Sequence, residues 1–145
     1  MSVIAVAEYP EMSPQMAEKS PALQVLVVDD ESLIRWSLVE ALGDRGHQVD
    51  EAGDGASAVT LLAAGRRFDV VLLDYRLPDS NDLRLLETIR ALSPGSAVIM
   101  MTAFGTAEMV EGALRLGAYR VVPKPFDVHD MASLVAEAPR PARGI

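Results

Sequence analysis

Cysteine is absent from the 145 residues, which excludes disulfides, thiolate catalysis and zinc sites built on sulfur, and is compatible with a reducing cytoplasm. Long apolar runs are also missing. None approaches the roughly 18 residues that a membrane-spanning helix requires, and the start, Met1-Ser2-Val3-Ile4-Ala5-Val6, has no basic leader and too short an apolar part for a secretory signal. A cytoplasmic location and no membrane contact are the expectation. Basic residues are in deficit, 13 against 21 acidic, for a formal charge of −8. Such a surface repels phosphate backbones, so direct nucleic-acid binding is not expected. The two histidines, His47 and His129, have no acidic or histidine partner at metal-ligand spacing and read as surface residues. Gly53 and Gly55 flank Asp54 in a turn, and no Gly-Lys-Ser phosphate loop exists, so a nucleotide site is not supported. The single tryptophan, Trp36, lies between Ile34 and Leu38 and reads as a partly exposed helix residue rather than a cofactor platform.

What the chain does have is a set of short, β-branched apolar runs that end in chemistry-bearing side chains. Residues 24–28 precede Asp29-Asp30, and residues 69–73 precede Asp74. Residues 97–101 end in Thr102, and residues 119–122 end in Pro123-Lys124-Pro125. These runs read as buried strands, with a weaker one over 47–51. Between them lie segments with helical apolar spacing: Leu33, Ile34, Leu38, Val39 and Leu42, then Ala58, Val59, Leu61 and Leu62, then Leu83, Leu85, Leu86, Ile89 and Leu92. Met109, Val110, Ala113, Leu114 and Leu116 make a fourth, and Met131, Leu134 and Val135 a fifth. Five βα units with short links predict a doubly wound parallel sheet with helices on both faces.

In such a sheet the carboxyl ends of the strands meet at the ligand site, so Asp29, Asp30 and Asp74 are expected to converge. Clustered carboxylates repel one another unless a cation lies among them, and an oxygen-only donor set suits Mg²⁺. Taken singly, each residue has a plainer reading. Asp30 could cap a helix starting near Glu31, and Asp74 or Thr102 could be a turn residue. Lys124 could be a solvated loop lysine. It is their joint placement at successive strand ends that points to a site.

Length and composition suit one globular unit. Residues 1–22, with Pro10, Pro14 and Pro21 and no lasting period, read as a mobile extension, and 23–138 as the domain. Residues 139–145 read as a tail or the start of a linker.

The pair Asp29-Asp30, the lone Asp74, Thr102-Ala103 and Lys124 within Pro123-Lys124-Pro125-Phe126 resemble the motif set of response-regulator receiver domains, the CheY-like family. Asp74-Tyr75-Arg76-Leu77-Pro78-Asp79 and Met101-Thr102-Ala103-Phe104-Gly105 are most similar to receivers of NtrC-like transcriptional regulators. The resemblance implies a flavodoxin-like five-stranded sheet of order 2-1-3-4-5. It also implies that a sensor histidine kinase phosphorylates Asp74. Mg²⁺ would be held by Asp29, Asp30, Asp74 and the Arg76 backbone carbonyl, while Lys124 and Thr102 engage the phosphoryl oxygens. Movement of Thr102 would shift the surface of the fourth helix, fifth strand and fifth helix, towards an output domain or downstream protein and a phosphorylation-dependent homodimer. No metabolic substrate is expected, only self-catalysed phosphorylation and slow dephosphorylation, with Arg76 and Phe104 obstructing water.

Two positions depart from the family pattern. Val121 stands three residues before Lys124, where an aromatic switch residue is usual, with Tyr119 two residues earlier. Asp82 stands where many members have glycine, which argues against a left-handed backbone there. The alternatives are a Mg²⁺-dependent phosphohydrolase with an aspartyl-phosphate intermediate and a receiver-like interaction module that is never phosphorylated. The first would call for a second aspartate two residues after the nucleophile, where this chain has Arg76. The complete set of acids, hydroxyl and lysine argues against the second.

Overall fold

The structure, a computed structural model, describes residues 22–139. The extension expected over 1–22 and the tail expected over 139–145 therefore lie, apart from Ala22 and Pro139, outside the described residues. Strands β1 (Gln24–Val28), β2 (Gln48–Ala52), β3 (Val70–Asp74), β4 (Ala97–Thr102) and β5 (Arg120–Pro123) alternate with helices α1 (Ser32–Gly43), α2 (Gly55–Ala63), α3 (Arg84–Leu92), α4 (Ala107–Arg115) and α5 (Val128–Glu137). The strands form one parallel sheet in the order β2-β1-β3-β4-β5, which is the expected flavodoxin-like architecture.

Strict alternation along the strands divides the core into two layers. Leu26, Val28, Val71, Leu73, Val98 and Met100 face one way, against apolar side chains of α2, α3 and α4. Val25, Val27, Val70, Leu72, Ile99 and Met101 face the other, against Leu38 and Leu42 of α1 and Met131, Ala132 and Val135 of α5. The three central strands are buried on both faces, which is why they read as continuous apolar runs. Edge strand β2 is half-exposed and carries Asp50 and Glu51, which explains its weak apolar signal.

Local chemistry sets the helix starts. Asp54 accepts from the Ser57 N–H, Thr106 from the Met109 N–H, and Asp127 from those of His129 and Asp130. The Asp54 pKa is lowered by the backbone Ser57 bond and then by a side-chain bond to Ser57, burial opposing weakly. A further carboxylate, Asp79 in the loop after β3, accepts from the N–H groups of Gly55 (2.8 Å) and Ala56 (3.0 Å), tying that loop to the start of α2. Among the described residues no non-glycine has positive φ, so Asp82 adopts ordinary backbone, and its Oδ1 accepts from the Arg84 N–H.

One expectation is corrected. His47 is buried, not on the surface. The register pairs Gln24 with Gln48 and so sets residue 47 beside residue 23, and His47 Nδ1 accepts from the Leu23 N–H at 3.0 Å. Sequence spacing around a histidine carries no information about a neighbour supplied by another strand.

Candidate functional site

Strand register brings the ends of β1, β3, β4 and β5 to one edge of the sheet. Asp29 follows β1 directly, and its N–H bonds Ala52 O at the end of β2. Asp74 is the last residue of β3, and the next N–H, that of Tyr75, reaches Met101 O. Lys124 follows β5, its N–H bonded to Thr102 O at 2.8 Å. These main-chain bonds place the side chains before any of them interacts.

Lys124 is the centre of the cluster. Its Nζ lies 2.9 Å from Asp29 Oδ2, 3.1 Å from Glu31 Oε1 and 3.2 Å from Asp74 Oδ2. Asp29 is fully buried and Asp74 nearly so, whereas the Glu31 side chain is 58% exposed. Burial, followed by the negative charge of Asp29, pushes the Asp74 pKa up from 3.8 to about 6, against the opposing pull of Lys124 and the Arg76 N–H. Burial alone would lower the Lys124 pKa, but hydrogen bonds to Asp29 and Glu31 and the charges of Asp29 and Asp74 outweigh it and hold the value above that of an ordinary lysine. The site therefore holds two buried carboxylates that one ammonium does not fully compensate. A dication fits that imbalance: oxygens of Asp29, Glu31 and Asp74 lie within 4.8 Å of one another, an all-oxygen donor set of the kind Mg²⁺ accepts.

Not every expected residue converges. Asp30 is exposed, and its carboxylate lies outside that group of three. Nor does Asp30 cap α1: the residue before the helix is Glu31, which makes no side-chain cap, and it is Asp29 Oδ1 that accepts the Glu31 N–H at 2.9 Å. Successive residues leaving a strand point opposite ways, so Asp29 turns inward and Asp30 outward. Glu31 was missed in the sequence. Its only signal was its place directly after the acidic pair.

Thr102 is 3% exposed, and its Oγ1 accepts from the Phe104 N–H at 3.1 Å. Phe104 is 69% exposed, with the Arg76 guanidinium 5.3 Å from its ring centroid. The two residues expected to obstruct water thus stack on each other. The Arg76 N–H bonds Asp74 Oδ1 at 3.3 Å. Val121 is half-buried in the α2–α3–α4 layer, whereas Tyr119, just before β5, packs in the α1–α5 layer. Tyr119 therefore does not fill the position that Val121 leaves without a ring.

Comparison with known proteins agrees with this geometry. A sequence model of the response regulator receiver domain family matches residues 25–136. The chain is 39% identical over 114 residues to the DNA-binding transcriptional regulator NtrC of Escherichia coli K12, covering 79% of this chain and 24% of NtrC. It is 32% identical over 112 residues to sporulation initiation phosphotransferase F of Bacillus subtilis, covering 77% of this chain and 90% of that protein. A CheY-like receiver domain from Methanospirillum hungatei superposes with a TM-score of 0.76 at 28% identity, over 81% of this chain and 93% of that one. The chain belongs to the response regulator receiver domain family: it is a phosphorylation-controlled switch of two-component signalling. Receiver domains bind Mg²⁺ at an acidic pocket and interact with histidine kinases and output domains. Against NtrC-type relatives this chain spans about a quarter of their length. Among the described residues no helix is long and apolar enough to cross a membrane.

Proposed function

We propose that Asp74 is the phosphoryl acceptor and that Lys124 and Thr102 manage the charge that follows. The observation that supports this best is the contact of one ammonium with both buried carboxylates, Asp29 and Asp74, at adjacent strand ends. An Asp74 oxygen attacks the phosphorus of a kinase phosphohistidine. The P–N bond breaks, and its electron pair leaves on the imidazole nitrogen. A carboxylate with a pKa of about 6 is mostly ionised, and so nucleophilic, at neutral pH. Lys124 offsets charge on the equatorial phosphoryl oxygens, and the Thr102 hydroxyl turns toward one of them. Asp29, Asp74 and the Arg76 carbonyl would hold Mg²⁺, and Asp30, whose carboxylate is exposed and outside the cluster in the metal-free protein, would have to turn inward to join them. The ion when bound would neutralise the carboxylates and polarise the phosphoryl group. Arg76 stacked on Phe104 slows attack by water on the acyl phosphate.

The donor approaches through a cavity of about 450 Å³ beside Lys124, bounded by Leu33 and Ile34 of α1, by Ala103, and by Pro125 and Phe126. Reading-out follows from the Thr102 bond to the Phe104 N–H. When the hydroxyl turns to the phosphoryl group, that bond weakens and the start of α4 resettles, biasing the α4–β5–α5 surface toward pairing or an output partner. The chain works in the cytoplasm with a sensor histidine kinase, and in a longer regulator would govern transcription.

Intact-mass spectrometry after incubation with Mg²⁺ and acetyl phosphate tests the assignment. One phosphoryl adduct is expected for wild type and none for Asp74→Ala. Steady phosphate release without an adduct would point to the hydrolase. Mg²⁺ binding with no adduct would point to an unphosphorylated interaction module.

A further inference from the structure

A lysine ammonium has three N–H donors and no acceptor, and three carboxylates lie within reach of Lys124 Nζ. In the resting protein the ammonium is therefore fully engaged. A phosphoryl group on Asp74 brings new anionic oxygens to the same ammonium, so one existing partner has to release its bond. Asp29 is fully buried and cannot move into water, and Asp74 is itself the group being modified. Glu31 is different. Its backbone is fixed at the start of α1, with the N–H on Asp29 Oδ1 and the carbonyl accepting from the Arg35 N–H at 3.0 Å. Its side chain is more than half exposed, so its carboxylate can exchange Lys124 for water at small cost.

We propose that Glu31 is a positioning residue for Lys124, a latch that holds the ammonium in the resting site and must release it before Lys124 can engage the phosphoryl group. This rests on Asp74 being the acceptor, and it adds a residue that acts through Lys124 without touching the phosphoryl group. It follows that the latch sets part of the barrier to phosphorylation. An ion pair with one exposed partner supplies a rate effect of about two- to fivefold.

The test is the time course of adduct formation by intact mass, with saturating Mg²⁺ and acetyl phosphate, for wild type, Glu31→Gln and Glu31→Asp. Glutamine keeps the length and removes the charge. Aspartate keeps the charge but is one methylene short of Lys124. Both variants are expected to form the adduct about two- to fivefold faster than wild type, the range of a released exposed ion pair. In a Lys124→Ala background, Glu31→Gln is expected to change nothing, because the latch has no ammonium to hold. Acceleration by Gln with Asp behaving as wild type would mean general repulsion of the donor and would overturn the latch. Slower adduct formation with weaker Mg²⁺ binding by calorimetry in Glu31→Gln would make Glu31 a metal ligand, and would also overturn it. Absence of any wild-type adduct removes the phosphoacceptor assignment and the latch with it. A normal wild-type adduct with both variants unchanged removes the latch alone.

Discussion

Asp74 is held ionised in the fold at a measurable expense, and replacing it with a neutral isostere exposes that term. Its pKa rises from 3.8 to about 6, through burial first and then through the charge of Asp29. The folded protein therefore binds the Asp74 proton more tightly than the unfolded chain does, and stability attached to this group is lost as pH rises from about 4 to about 6. At 1.36 kcal/mol per pKa unit, the ionised carboxylate destabilises the fold at pH 7 by about 3 kcal/mol relative to a neutral side chain. Asp74→Asn keeps the shape and removes the titration. In Mg²⁺-free buffer at pH 7.5 the variant is expected to be more stable by about 3 kcal/mol, or roughly 10 °C in Tm. The advantage should shrink as pH falls through 6 and be nearly gone at pH 4. Urea denaturation followed by circular dichroism at pH 4, 6 and 7.5 measures it directly. Mg²⁺ should narrow the gap, since it stabilises the wild type by mass action and the variant offers it one carboxylate fewer. Equal stability of the two proteins at pH 7.5 without metal, or a gap independent of pH, would refute the charge imbalance.

Lys124→Ala leaves Asp29 and Asp74 without their common cation; it is expected to destabilise the metal-free protein at pH 7.5 by about 3 kcal/mol in the same assay. The Arg76–Phe104 stack predicts slow self-dephosphorylation, and Arg76→Ala or Phe104→Ala should each shorten the phosphoryl lifetime about two- to fivefold, as followed by loss of the adduct mass. A wild-type lifetime of seconds would count against the stack as a water barrier. Sedimentation with and without a phosphoryl mimic should show a weak, mimic-dependent dimer that Thr102→Ala reduces, and an unchanged monomer would remove pairing from the mechanism.

Residues with a strictly local signature were legible in the chain. The double-sided burial of β1, β3 and β4 makes continuous apolar runs, and each run ends on a polar side chain where the strand leaves the core. That pattern put Asp29, Asp74 and Thr102 at strand ends, and the shorter run over residues 119–122 did the same for Lys124. The order of the strands came from resemblance, because the crossovers that decide it are long-range pairings with no local trace. β2 and β5, each one residue out, are edge strands whose exposed faces blur the pattern, and central β3 is one residue out as well, since Asp74 is its last residue rather than the residue after it.

The sequence by itself therefore determined the βα repeat, the two-layer core and the inventory of acids, hydroxyl and lysine. Tertiary structure decided how those groups face one another. Which of the neighbours Asp29, Asp30 and Glu31 turns towards Lys124 depends on the path of the chain between β1 and α1, and the outcome is Asp29 and Glu31. His47 became a buried acceptor because β1–β2 register set it beside Leu23. The raised pKa of Asp74 likewise depends on how far the assembled sheet edge excludes water from two carboxylates, and no property of an isolated segment contains that quantity.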